Sequence, residues 1–111
     1  MSKYTWIVTQ DSVLGDSSDA VGKIGPSGAK ARARFDTIIT QGERFRMRNG
    51  AGEVQFVGYI VGEFTGAEPL EDYGLDNGCA MVEYEREGHW ISLAEFTSLR
   101  ATAIAAVSLS I

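Results

Sequence analysis

A chain of 111 residues, 44% hydrophobic and 23% charged, is long enough to bury one core and too short for two. That balance speaks against disorder in the body of the chain. The net charge of −5 sets the protein against nucleic acid and anionic membranes, both of which repel an acidic surface.

No segment reaches the roughly eighteen uninterrupted apolar residues of a membrane span. One cysteine, Cys79, rules out an intrachain disulfide and points to a reducing, cytoplasmic setting. Met1-Ser2-Lys3-Tyr4 runs straight into a strand-like segment, so no secretory leader is expected. The whole chain, 1–111, reads as one α+β domain.

In chain order, Tyr4 to Thr9 is aromatic and β-branched and predicts a first strand. Asp11 to Asp19 is a polar loop, and Gly22 to Gly28 a glycine-punctuated turn. Ser27 is placed to cap a helix from Gly28 to Gln41, with Gly42 as its stop and Ala31, Phe35, Ile38 and Ile39 as its apolar stripe. Glu43 to Arg48 alternates strictly, with Phe45 and Met47 on one face and Arg44, Arg46 and Arg48 on the other. The Asn49–Gly52 turn follows, with Asn-Gly expected to supply a positive φ.

A long strand then runs from Glu53 to Phe64, where Gly58 and Gly62 predict a bulge or a close approach. Thr65 to Gly78 is an acidic connection, long for a structureless loop. A second hairpin pairs Ala80–Arg86 with His89–Leu93 through a turn at Glu87-Gly88. A C-terminal helix from about Leu93 to Val107 ends the pattern. The expected fold is an antiparallel sheet of about five strands, with one helix after the first strand and one at the C-terminus.

Charge is unevenly spread. From Gly22 to Arg48 there are seven bases against two acids, and from Asn49 to Glu95 ten acids against the lone Arg86. Glu83, Glu85 and Glu87 are spaced two apart, so on a strand they share a face. Arg44, Arg46 and Arg48 do the same. One reading is that the two stripes trade cross-strand ion pairs. The functional reading joins Glu83, Glu85 and Glu87 to Glu68, Glu71, Asp72 and Asp76 in one negative surface, with Tyr73 as an aromatic anchor. Its partner would be a protein with a basic surface.

Other chemistry is weakly signalled. Gly25 and Gly28 before Lys30 offer an alternative site for a small anionic ligand or a minor enzyme activity, but without P-loop or dinucleotide spacing. His89 and Cys79 are too few to make a metal site, and the loop carrying Asp11, Asp16 and Asp19 lacks calcium-loop spacing. A Cys79–His89 catalytic pair is formally possible. No metal or cofactor is expected, and a non-enzymatic role is favoured.

Asp19-Ala20-Val21-Gly22-Lys23-Ile24-Gly25-Pro26-Ser27-Gly28-Ala29 carries a resemblance that continues in Arg44-Phe45-Arg46-Met47, Pro69-Leu70-Glu71-Asp72-Tyr73-Gly74, Asn77-Gly78-Cys79 and Gly88-His89-Trp90. Over residues 4 to 93 the chain resembles a family of short, uncharacterised bacterial proteins found on plasmids and other mobile elements. The resemblance implies an accessory role, such as a small inhibitor of a host defence complex encoded by a phage or mobile element. It assigns no active residue.

Overall fold

The computed structural model of the protein describes residues 3–26 and 35–99. The strand-forming segments build six strands: β1 (Tyr4–Asp11), β2 (Ile24–Gly25), β3 (Glu43–Asn49), β4 (Val54–Gly62), β5 (Cys79–Arg86) and β6 (His89–Ser92). They form one antiparallel sheet in the order β2-β1-β4-β3-β5-β6. The α+β class is as expected. The sixth strand is the short β2, hidden in what reads from sequence as a glycine turn. Helix α1 spans Phe35–Gln41, ending before Gly42 as anticipated. Its expected start, and the helix stripe before Phe35, lie outside the described residues. Residues 93–99 are helical (α2), and the remainder of the expected C-terminal helix is likewise outside them.

Alternation along the strands sorts side chains onto two faces. Trp6, Val8, Phe45, Met47, Phe56, Ile60, Val82 and Tyr84 form the core face. At one end this face is closed by Phe96 of α2, whose ring stacks on Tyr84 at 4.0 Å between centroids. The Tyr84 hydroxyl donates to the Gly66 carbonyl at 2.6 Å. Phe45 lies opposite Gly58 in the register, and a Cβ at Gly58 would meet the Phe45 ring at 2.7 Å. The glycine is therefore where a cross-strand aromatic lies over bare backbone. On the other face α1 lies against β1 and β4, where Ile7 and Val57 are buried together with Ile38.

Three register shifts fall at one end of the sheet. Thr9 is an extra residue of β1 opposite β4, Gln55 an extra residue of β4 opposite β3, and Ala80 an extra residue of β5 opposite β3. Each is a bulge, which bends its strand and re-aims the side chains beyond it. The bulge at Thr9 turns Asp11 onto the core side, opposite Phe56. Asp11 is consequently 2% exposed, although strict alternation from Trp6 and Val8 would have put Gln10 there.

The two hairpins close differently. Between β3 and β4 the positive φ belongs to Gly52 (85°), not to the Asn-Gly pair. Asn49 acts instead through its side chain, whose Oδ1 accepts from the Ala51 and Glu53 amides, each at 3.0 Å. Between β5 and β6, Glu87 (φ 52°) and Gly88 (φ 82°) both have positive φ, the signature of a two-residue type I′ turn. A glutamate in that conformation carries a Cβ penalty of roughly 1 kcal/mol, which asparagine tolerates better. Replacing Glu87→Asn is expected to raise stability by about 0.5–1 kcal/mol in urea unfolding. A loss of stability would contradict the turn assignment.

Candidate functional site

The order of strands dictates the site. β3 sits between β4 and β5 and is antiparallel to both, so β4 and β5 run in the same direction. The chain leaving β4 must therefore return the length of the sheet before β5 can begin. Residues 63–78 make that return as a strap over the core face. Their length has a topological cause that composition alone does not reveal.

The strap begins with a local cap. Glu68 accepts the Thr65 amide at 2.8 Å, the Thr65 hydroxyl at 3.1 Å and the Gly66 amide at 2.8 Å. Burial alone would push its carboxyl up. The hydrogen bonds from the Thr65 and Gly66 amides and from its own outweigh burial and hold it below the usual range. Gly66 has a φ of 128° and is not helical, so Glu68 caps the turn at Thr65 and Gly66 rather than the N-terminus of a helix.

A π-helical turn, Leu70–Gly74, and a 3-10 turn, Leu75–Asn77, follow. Asp72 Oδ2 accepts the Tyr4 hydroxyl at 2.7 Å and the Trp6 indole N–H at 3.0 Å, which hooks the strap to β1. Tyr73 enters between Trp6 and Phe56, with ring centroids 5.5 and 5.4 Å away. Gly74 is pressed so close to the sheet that a Cβ there would meet Met47 Sδ at 2.6 Å.

These contacts revise the expected surface. Tyr73 is not an exposed anchor but a half-buried plug in the core face, because the returning chain passes directly over Trp6 and Phe56. Burial, then the charges of Asp11 and Asp19, push its hydroxyl pKa up. Asp72 is a clamp, and Glu68 is a cap. Glu71 and Asp76 are exposed. Among the described residues neither makes an ion pair.

Glu83 and Glu85 do not join them. They project from the opposite face of the sheet, where they lie among the arginines of β3. Glu83 Oε1 accepts Arg46 Nε at 2.7 Å and Arg48 Nε at 2.8 Å, and Glu85 accepts Arg44 Nη1 at 2.9 Å. Arg46 and Arg44 also lie over the Trp90 ring, at 4.4 and 5.5 Å. Against burial, the hydrogen bonds and charges of Arg46 and Arg48 hold the Glu83 carboxyl below its usual range. Glu87 sits in the hairpin turn at the end of β5 far from Asp76. The single negative patch expected from sequence is thus divided: one stripe is matched by arginines, and the other crosses the core face.

Of the residues of the anion-binding alternative, Gly25 alone is described. Gly25 is buried against the Trp6 indole, where any Cβ would collide with the ring, so its role is steric. Gly28 and Lys30 lie outside the described residues. Cys79 and His89 stand at opposite ends of the β5–β6 hairpin, separated by about 23 Å of strand rise. Burial, with the charge of Asp11, pushes the Cys79 thiol up to about 11, which is unlike a reactive thiolate. Among the described residues no cluster of three metal-ligating side chains occurs, and no helix is long and apolar enough to cross a membrane. Set beside known proteins, the chain matches no family model, no curated protein and no solved structure.

One buried acid gave no sign of itself in the sequence. Asp11 Oδ1 accepts the Val13 and Leu14 amides at 3.0 and 2.8 Å, and Oδ2 accepts the Ser18 hydroxyl at 2.6 Å. Burial pushes its carboxyl up, but these three hydrogen bonds more than offset that and hold it below the ordinary range.

Both hydrogen-bonded carboxylates, exposed Asp72 and buried Asp11, can be tested by substitution. Asp72→Ala strands the indole donor of Trp6 and should cost about 1–3 kcal/mol in urea unfolding, whereas Glu71→Ala should stay within about 0.5 kcal/mol. Equal effects would contradict the clamp. A folded-state carboxyl pKa below the unfolded value of about 3.9 contributes stability above that pH and loses it as pH falls through the folded pKa. Stability should therefore decline below about pH 4, less steeply in Asp11→Asn. An unchanged acid limb in that variant would contradict the Asp11 assignment.

Proposed function

We propose that this protein is a non-enzymatic interaction protein that presents the exposed acids of its strap to a protein partner with a basic surface. One observation carries the reading. The arginines of β3 are engaged by Glu83 and Glu85 on one face, while Glu71 and Asp76 over the other face have no described basic partner. The resulting field is one-sided, and a one-sided field steers and orients an oppositely charged partner. The strap holds these carboxylates on a fixed frame, which lowers the ordering cost of binding.

The lone buried thiol suits a cytoplasmic setting. The resemblance to mobile-element proteins makes an inhibitor of a host defence complex the finer form of the proposal, with a basic component of such a complex as the partner to try first.

Asp72 and Glu85 are unsuitable for charge reversal, because each is committed within the fold. Glu71→Lys with Asp76→Lys is the informative double variant. Immobilised wild-type protein should retain basic partners from a bacterial lysate in a salt-sensitive manner. The double variant should retain at least about tenfold less, with an unchanged melting temperature. Equal retention by a folded variant would end the acidic-surface reading.

A further inference from the structure

The end of the sheet that carries the three bulges also carries exposed apolar side chains. Leu14 is 70% exposed, Val13 52% and Leu75 57%. They are not the tips of a loose loop. The Val13 and Leu14 amides are held by buried Asp11, and the Ser12 amide donates to the Gln55 carbonyl at 2.7 Å. The Gln55 side-chain amide in turn donates to the Asn77 carbonyl at 3.2 Å. The bulge residue Gln55 thus ties the turn bearing Val13 and Leu14 to the 3-10 turn bearing Leu75. Asp16, Asp19 and Asp76 are exposed on the same two segments, and none of them makes a described ion pair.

We infer that Val13, Leu14 and Leu75 form the apolar floor of a docking site for a basic amphipathic segment of a partner protein. Its apolar side chains cover the floor, and its lysines or arginines meet Asp16, Asp19 and Asp76. The inference rests on the proposed reading of a basic partner and narrows it. Charge complementarity selects the occupant. A second copy meeting this face symmetrically would bring like acids together. An uncharged apolar segment would desolvate carboxylates with nothing to pair them, and an anionic bilayer would be repelled. A basic amphipathic segment satisfies both components, and its binding as a helix in a groove is a recurrent mode.

The test uses two labelled peptides of equal length and charge, an amphipathic Leu/Lys peptide and a Gly/Lys peptide, titrated against the full chain by fluorescence anisotropy and amide chemical-shift mapping. The Leu/Lys peptide should bind at least about tenfold more tightly and perturb residues 12–19 and 75–77. Leu14→Ser and Leu75→Ser, both at exposed positions, should each weaken it about fivefold to tenfold and leave Gly/Lys binding unchanged. Equal binding of the two peptides, with both serine variants silent, overturns the apolar floor but leaves the acidic reading standing. Absence of binding by either peptide overturns both. A concentration-dependent dimer in sedimentation, abolished by Leu14→Ser, overturns the proposal in favour of a second copy.

Discussion

Because β3 lies between two strands that run the same way, the connection from β4 to β5 has no short route. It must cross the sheet, and a crossing segment must satisfy its backbone and cover apolar surface on the way. The strap does both. Its polar groups are taken up by short helical turns and the Glu68 cap, and Tyr73 fills the gap between Trp6 and Phe56. The hook from Asp72 to Tyr4 and Trp6 fixes where the crossing lies. Without it the core face would be open at the end that α2 does not reach.

The same crossing sorts the charges. Acids that alternate along β5 fall opposite the β3 arginines, because residues on one face of paired strands meet their cross-strand partners. There Glu83 answers two guanidiniums, and Trp90 gives both Arg44 and Arg46 an aromatic face. Glu71 and Asp76 on the strap have no such neighbours among the described residues, while Glu63 at its start lies 3.7 Å from Lys3 Nζ. Two features that look alike in sequence, runs of carboxylates a few residues apart, therefore have opposite fates. One is internal wiring and the other faces out.

Much of the architecture was legible in the sequence. Strict alternation of Phe45 and Met47 with three arginines located β3 and its two faces, and Glu87-Gly88 located the second hairpin. Gly58 correctly marked a close approach. The bulges were not legible, since one extra residue changes a face without changing local composition. Asp11 is the clearest case: it lies five residues after Trp6, yet Thr9 turns it inward, where it organises the next loop. β2 was missed because two residues carry no periodicity. The single acidic patch failed for a topological reason: which face the strap crosses depends on strand order, which no local pattern reports. Tyr73 among acids looked exposed for the same reason.

The place of the strap across Trp6 is open to direct measurement. In solution NMR the Trp6 indole N–H should exchange slowly with water, and Tyr73 ring protons should show nuclear Overhauser contacts to both Trp6 and Phe56. An indole proton exchanging freely, with no contacts from Tyr73 to either ring, would contradict it.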